Sequence, residues 1–168
     1  FTGWTPAYEE VKGNKTYTAT YDKATNNYTV KWVDDNGTEL KTESFAYGTP
    51  ANDVKAKAPA DPTKPADAQY TYTFTGWTPA YEEVKGNKTY TATYDKATNN
   101  YTVTFNSNGG STVDPQTVKY NDKAKEPPAP TKSGYTFAGW YTENEKLATK
   151  YDFATPVTKD ITLYAKWN

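Results

Sequence analysis

Residues 1–30 and residues 74–103 are the same thirty letters without one change: F-T-G-W-T-P-A-Y-E-E-V-K-G-N-K-T-Y-T-A-T-Y-D-K-A-T-N-N-Y-T-V. The offset is 73 residues, and a looser third copy opens at Phe137-Ala138-Gly139-Trp140. Self-similarity at a fixed spacing marks tandem units and constrains the fold more tightly than any bulk property. Residues 28–94 and 101–168 read as two complete units, and residues 1–25 as the back half of a truncated one. The chain is therefore expected to be a fragment. Segments 22–27 and 95–100 read as short linkers, and neither contains glycine.

Each complete unit opens with a period-two strand. Tyr28, Val30 and Trp32 alternate with Thr29 and Lys31, and Tyr101, Val103 and Phe105 alternate with Thr102 and Thr104. Alternation puts the large side chains on one face. The turns Asp34-Asp35-Asn36-Gly37 and Asn106-Ser107-Asn108-Gly109-Gly110 follow, and Asn-Gly supplies the positive φ that tight hairpins require. A proline-rich crossing comes next, with Pro50, Pro59, Pro62 and Pro65 in one unit and Pro127, Pro128 and Pro130 in the other. Proline removes donors and fixes φ, so these stretches leave room for at most one helical turn, at Asp53–Lys57 or Asp122–Glu126. The first unit carries about ten more residues than the second before its F-x-G-W, within 53–70.

The F-x-G-W strand poses a geometric problem. Phe and Trp are three apart, so a regular strand would aim them at opposite faces. Glycine between them predicts a bulge that brings both rings to one side. A final strand, Thr89–Tyr94 or Ile161–Trp167, closes each unit. The expected core is Trp4, Trp32, Phe74, Gly76, Trp77, Phe105, Phe137, Gly139, Trp140 and Trp167. The fold class is mostly β on the α+β border, as tandem curved sheets of about four strands each. Sixteen Tyr, five Trp and frequent Thr suit pleated, half-buried surfaces.

The same sequence argues against chemistry. It contains no His and no Cys, so the usual nucleophile–base pairs and thiolate metal sites cannot be assembled. Four serines remain, Ser44, Ser107, Ser111 and Ser133, and acidic pairs occur at Glu9-Glu10, Glu82-Glu83 and Asp34-Asp35. The last pair reads as hairpin-turn chemistry, since it lacks the spacing of a calcium loop. No catalytic residue, metal or cofactor is expected. All nineteen basic residues are Lys and the net charge is −1, which offers nucleic acid neither a field nor a bidentate fork. No apolar run is long enough to span a membrane.

Two surface features remain. Tyr8, Tyr81, Tyr141 and Tyr164 are the candidate ligand contacts, because exposed rings stack on sugars and seat protein partners. Open strand edges are templates for other chains, and the half unit 1–25 is the candidate for strand pairing between molecules.

The motifs Tyr101–Gly110, Pro130–Tyr141 and Ile161–Trp167 together resemble the internalin B-type repeat, also called the Listeria–Bacteroides repeat, of Gram-positive surface proteins. Unit 28–94 is similar in its first strand, its F-T-G-W and its last strand, but has a longer proline stretch. The resemblance implies a small β-grasp-like fold, tandem arrays on the bacterial cell surface with cell-wall attachment, and no enzymatic activity. It implies a stalk or spacer, with adhesion to host protein or glycan as the alternative.

Overall fold

The computed structural model describes all residues 1–168. Ten strands and one short helix follow in order: β1 (Gly3–Thr5), β2 (Thr18–Thr20), β3 (Asn27–Val33), β4 (Glu39–Ala46), α1 (Ala51–Ala56), β5 (Tyr70–Thr78), β6 (Lys88–Thr98), β7 (Asn100–Asn106), β8 (Gln116–Lys119), β9 (Phe137–Tyr141) and β10 (Ile161–Trp167). They form a two-stranded ribbon, β1-β2, and two four-stranded sheets with the orders β4-β3-β6-β5 and β8-β7-β10-β9. The expected class, mostly strand in small four-stranded sheets, is the one observed.

Both large sheets use the same mixed pairing. β3 and β4 form an antiparallel hairpin, as do β7 and β8. β6 then returns parallel to β3, and β10 parallel to β7. Parallel neighbours need a crossing connection, and the proline-rich segments provide it. In the first crossing α1 buries Val54, and the Lys41 ammonium donates to the Lys57 carbonyl (2.6 Å) just past the helix end. The second crossing forms no helix. At residues 122–126 an isolated bridge from Lys123 to Pro156 takes that place, because Pro127 and Pro128 follow too closely for a turn to continue.

The Asp34–Gly37 turn closes with the Gly37 N–H donating to the Asp34 carbonyl (2.9 Å), the Asp35 N–H to the Asp34 carboxylate (2.8 Å) and the Thr38 N–H to Asn36 Oδ1 (2.9 Å). The Asp34 carboxylate is thus occupied in shaping a hairpin.

The F-x-G-W glycines have φ of +153° at Gly3, +143° at Gly76 and +128° at Gly139, a region that residues with a Cβ rarely enter. The register shows the consequence in β9: Gly139 faces Lys166 and Phe137 faces Trp167, so Ala138 is an extra residue. The bulge puts Phe137 and Trp140 together, with ring centroids 5.4 Å apart.

There are two hydrophobic clusters. One holds Val30, Trp32, Val54, Val84 and Tyr90, with Tyr28, Phe45, Ala58, Trp77 and Tyr81 packed against it. The other holds Val103, Phe105, Val118, Ala124, Trp140, Val157, Leu163 and Ala165. By compactness the chain divides into residues 1–62 with 76–93, and residues 63–75 with 94–168. Thus the end of the long proline-rich crossing groups with the strands that follow it.

Candidate functional site

Two of the four serines are engaged in loop structure. Ser107 Oγ donates to the Gly110 carbonyl (2.9 Å), and Ser111 Oγ accepts from the Thr131 N–H (2.9 Å). No group of three or more His, Cys, Asp or Glu side chains is arranged to hold a metal ion. An open hollow of about 580 Å³ lies between residues 111–116 and 125–130. It is bracketed by Gln116, whose side chain bonds both the carbonyl (2.7 Å) and the N–H (2.9 Å) of Lys125. Backbone, prolines and three scattered charges, Asp114, Lys125 and Glu126, line it.

The perturbed carboxylates belong to surface contacts. The Lys31 ammonium, 2.7 Å from Glu39, and then Thr42 hold the Glu39 carboxyl below its ordinary range. Lys88 does the same for Glu82, and Glu82 in turn raises Lys88. Asp67 is lowered first by the Tyr72 hydroxyl (2.7 Å), then by the N–H groups of Tyr70 and Gln69 (both 2.7 Å). None of these carboxylates is buried, as a carboxyl tuned for acid–base catalysis would be.

The aromatic candidates separate into three environments. Trp32, Phe105, Gly139 and Trp140 are buried, while Phe74, Gly76, Trp77, Phe137 and Trp167 are partly buried. Trp4 departs from the expected core and is 43% exposed, because the ribbon β1-β2 is not part of either four-stranded sheet. Tyr81, expected as a ligand contact, is turned inward instead. Its hydroxyl accepts from the buried Trp32 Nε1 (2.9 Å), and its ring lies 4.5 Å from that of Tyr90. Burial pushes its phenol pKa up. An indole N–H buried in a core needs an acceptor, and no sequence pattern pairs residues 49 apart.

Tyr8, Tyr141 and Tyr164 remain as surface rings. Tyr8 is 72% exposed and packs 5.0 Å from Tyr17. Tyr141 and Tyr164 face each other across β9 and β10 and share the face opposite Trp140 and Ala165. The Lys166 ammonium lies 5.0 Å from the Tyr141 ring. This cross-strand pair, flanked by a cation, is a candidate contact surface built on regular strands. A second aromatic surface was not singled out from sequence. Lys64 Nζ sits 4.6 Å from the Tyr72 ring, Lys96 Nζ sits 4.4 Å from that of Tyr70, and Phe74 meets Tyr94 at 5.9 Å. The alternation Tyr70, Tyr72, Phe74 was the available signal.

Comparison with known proteins adds the family. Residues 101–166 match the model of the Listeria-Bacteroides repeat domain. That unit is similar to a Listeria–Bacteroides repeat. Internalin H of Listeria monocytogenes is 39% identical over 125 residues, covering 66% of this chain and 21% of that protein. A putative Gly-rich membrane protein of Evansella cellulosilytica is 34% identical over 153 residues, covering 84% of this chain and 16% of that protein. The chain thus spans only 16–21% of the length of these curated relatives. Among solved structures, streptococcal high identity repeat in tandem domains 3-4 from a cell surface protein share 18% identity, with a TM-score of 0.28 over 83% of this chain and 96% of that one. The crystal structure of Mub-RV shares 16% identity, with a TM-score of 0.21 over 83% and 97%. No helix of the repeat chain is long and apolar enough to cross a membrane.

Proposed function

We propose that this chain is a non-catalytic spacer of an extracellular bacterial surface protein, built from complete repeats at 28–94 and 101–168 and a half repeat at 1–25. The observation that carries the reading is the repeated pattern of a small sheet with its own aromatic core, with one residue, Asn99, between the last strand of one repeat and the first of the next. Stability in such an array comes from units and their nearest neighbours, so length scales with repeat number. The relatives named as an internalin and as membrane proteins support a place at the cell surface, attached there by parts of the full-length protein. The test is the end-to-end distance of arrays with increasing numbers of the 73-residue repeat. A spacer adds a constant increment per repeat, whereas a flexible chain grows as roughly the square root of length.

The rival reading is adhesion to a host protein or glycan through Tyr141 and Tyr164. It is favoured by their cross-strand pairing beside Lys166. Saturable binding to a glycan or host-surface array that Tyr141→Ala abolishes would establish it. For residues 1–25 we assign pairing with a complementary front half on another molecule as the partner function. Their exposed Phe1, Trp4 and Val11 motivate it.

A further inference from the structure

Asn99 is the most fully engaged polar residue of the junction between β6 and β7. Its N–H donates to the Gln69 carbonyl (2.8 Å), and its Nδ2 to the Asp67 carbonyl (2.7 Å). Its Oδ1 accepts from the Thr71 hydroxyl (2.7 Å), and its carbonyl accepts from the Tyr120 N–H (2.9 Å). Two residues on, the Tyr101 hydroxyl donates to the Ala68 carbonyl (2.5 Å). The carbonyls of three consecutive residues, 67, 68 and 69, therefore all end on the junction.

The segment that presents those carbonyls is itself braced. The Asp67 carboxylate accepts the N–H groups of Gln69 and Tyr70 and the Tyr72 hydroxyl. Pro62 and Pro65 fix φ just before it. This is the stretch by which the first repeat exceeds the second. An ordinary surface insertion would be free to wander; this one aims an ordered row of three acceptors at Asn99 and Tyr101.

We infer that the proline-rich loop 63–70 is a docking surface for the repeat that follows it, and that the segment it fits is the Asn-Asn-Tyr at 99–101. The carbonyls of residues 67–69 are acceptors, so they take a strand entry that presents donors, an amide Nδ2, a backbone N–H and a phenol, while the adjoining Thr71 hydroxyl takes the amide oxygen. Asp at position 99 would set a carboxylate against the Asp67 carbonyl and lose the Nδ2 donor. The ligand segment recurs at Asn26-Asn27-Tyr28, 73 residues earlier. There the Asn26 carbonyl accepts from the Tyr47 N–H (2.7 Å), the same bond that Asn99 makes with Tyr120. Repeat 101–168 is about ten residues shorter before its F-A-G-W and lacks the loop. The loop thus restricts which repeats succeed one another, whether the array serves as a spacer or an adhesin.

The test is hydrogen exchange on the full chain, read over residues 63–73 and, separately, over β7 and β10. Asn99→Ala removes two hydrogen bonds and leaves an acceptor unmatched, so exchange across 63–73 rises roughly tenfold or more. Tyr101→Phe deletes one hydroxyl and raises it by a few-fold. Asn26→Ala, at an exposed position outside the loop, leaves it unchanged. β7 and β10 stay protected in all three. Loop exchange that equals wild type in both Asn99→Ala and Tyr101→Phe overturns the inference. Should Asn99→Ala unfold the following repeat, Tyr101→Phe decides alone: faster loop exchange supports docking, and unchanged exchange refutes it.

Discussion

Val11 and Val84 hold the same place in the same thirty-residue sequence, yet Val11 is 85% exposed and Val84 4%. Residues 1–25 and 74–98 differ in the same way throughout. β1 and β2 have three residues each, where β5 has nine and β6 eleven. Tyr90 is buried against Trp32, while its copy Tyr17 meets only Tyr8 among aromatic rings. Short-range contacts are nevertheless preserved. Thr20 Oγ1 donates to the Gly3 carbonyl (3.0 Å) as Thr93 Oγ1 does to that of Gly76 (2.9 Å). Phe1 meets Tyr21 at 5.9 Å and 70°, as Phe74 meets Tyr94. Glu9 pairs with Lys15 as Glu82 pairs with Lys88. The comparison teaches that the ribbon is a local structure, and that the front hairpin β3-β4 with α1 supplies its burial.

Restoring that front half should abolish the difference. A chain in which the sequence of residues 28–73 precedes Phe1 should protect the amides of residues 17–20 by on the order of a thousandfold, toward the level of residues 90–93, because a frayed ribbon then becomes part of a cooperative sheet. Protection that stays at the original level breaks the comparison. Next in size is a matched pair of truncations. Tyr90→Ala should destabilise the first repeat by about 3–5 kcal/mol, and Tyr17→Ala by less than about 0.5 kcal/mol, in denaturant titrations. Equal effects would mean that the exposed ribbon is covered in solution.

A finer test uses single hydroxyls. Tyr81→Phe strands the buried Trp32 indole N–H and should cost about 1–3 kcal/mol, whereas Tyr8→Phe should be silent. The second repeat offers the converse. Trp140 Nε1 and the Tyr151 hydroxyl are buried with no partner. Tyr151→Phe should therefore be neutral or stabilise by up to about 1 kcal/mol, read as a raised unfolding midpoint.

The smallest effect should come from the surface ion pair of the first repeat. Lys88 depresses the Glu82 pKa, so the pair's contribution is present above the ordinary Glu value of 4.5 and fades as pH falls through the depressed folded value. Glu82→Gln should flatten the acid limb of the first repeat's stability curve slightly and leave neutral-pH packing intact. A large loss of structure at pH 7 would show that this exposed pair carries more than a surface ion pair does.

Much of the fold was legible because it depends on near neighbours in the chain. Asn36-Gly37 and Asn108-Gly109 announced their turns, alternation announced β3 and β7, and glycine between Phe and Trp announced the bulge. The helix was placed within two residues in the first repeat; in the second the paired prolines excluded it. Tyr81 and Trp4 were misplaced for one reason. Whether a ring is covered depends on segments tens of residues away, and the two copies of this sequence meet different ones. Asn99 reads as linker because nothing in Asp-Lys-Ala-Thr-Asn-Asn shows that the carbonyls of residues 67 and 69 converge on it.

The sequence by itself determined the 73-residue periodicity, the hairpins, the bulged aromatic strand and the absence of imidazole and thiol chemistry. Apart from the periodicity, which is read by comparing distant segments, each follows from backbone preference or residue type within a few positions. Only the tertiary structure decided which of two identical valines is buried and which of two identical asparagines is bound. Burial and hydrogen-bond pairing are properties of what lies across the fold, and identical letters carry no record of that.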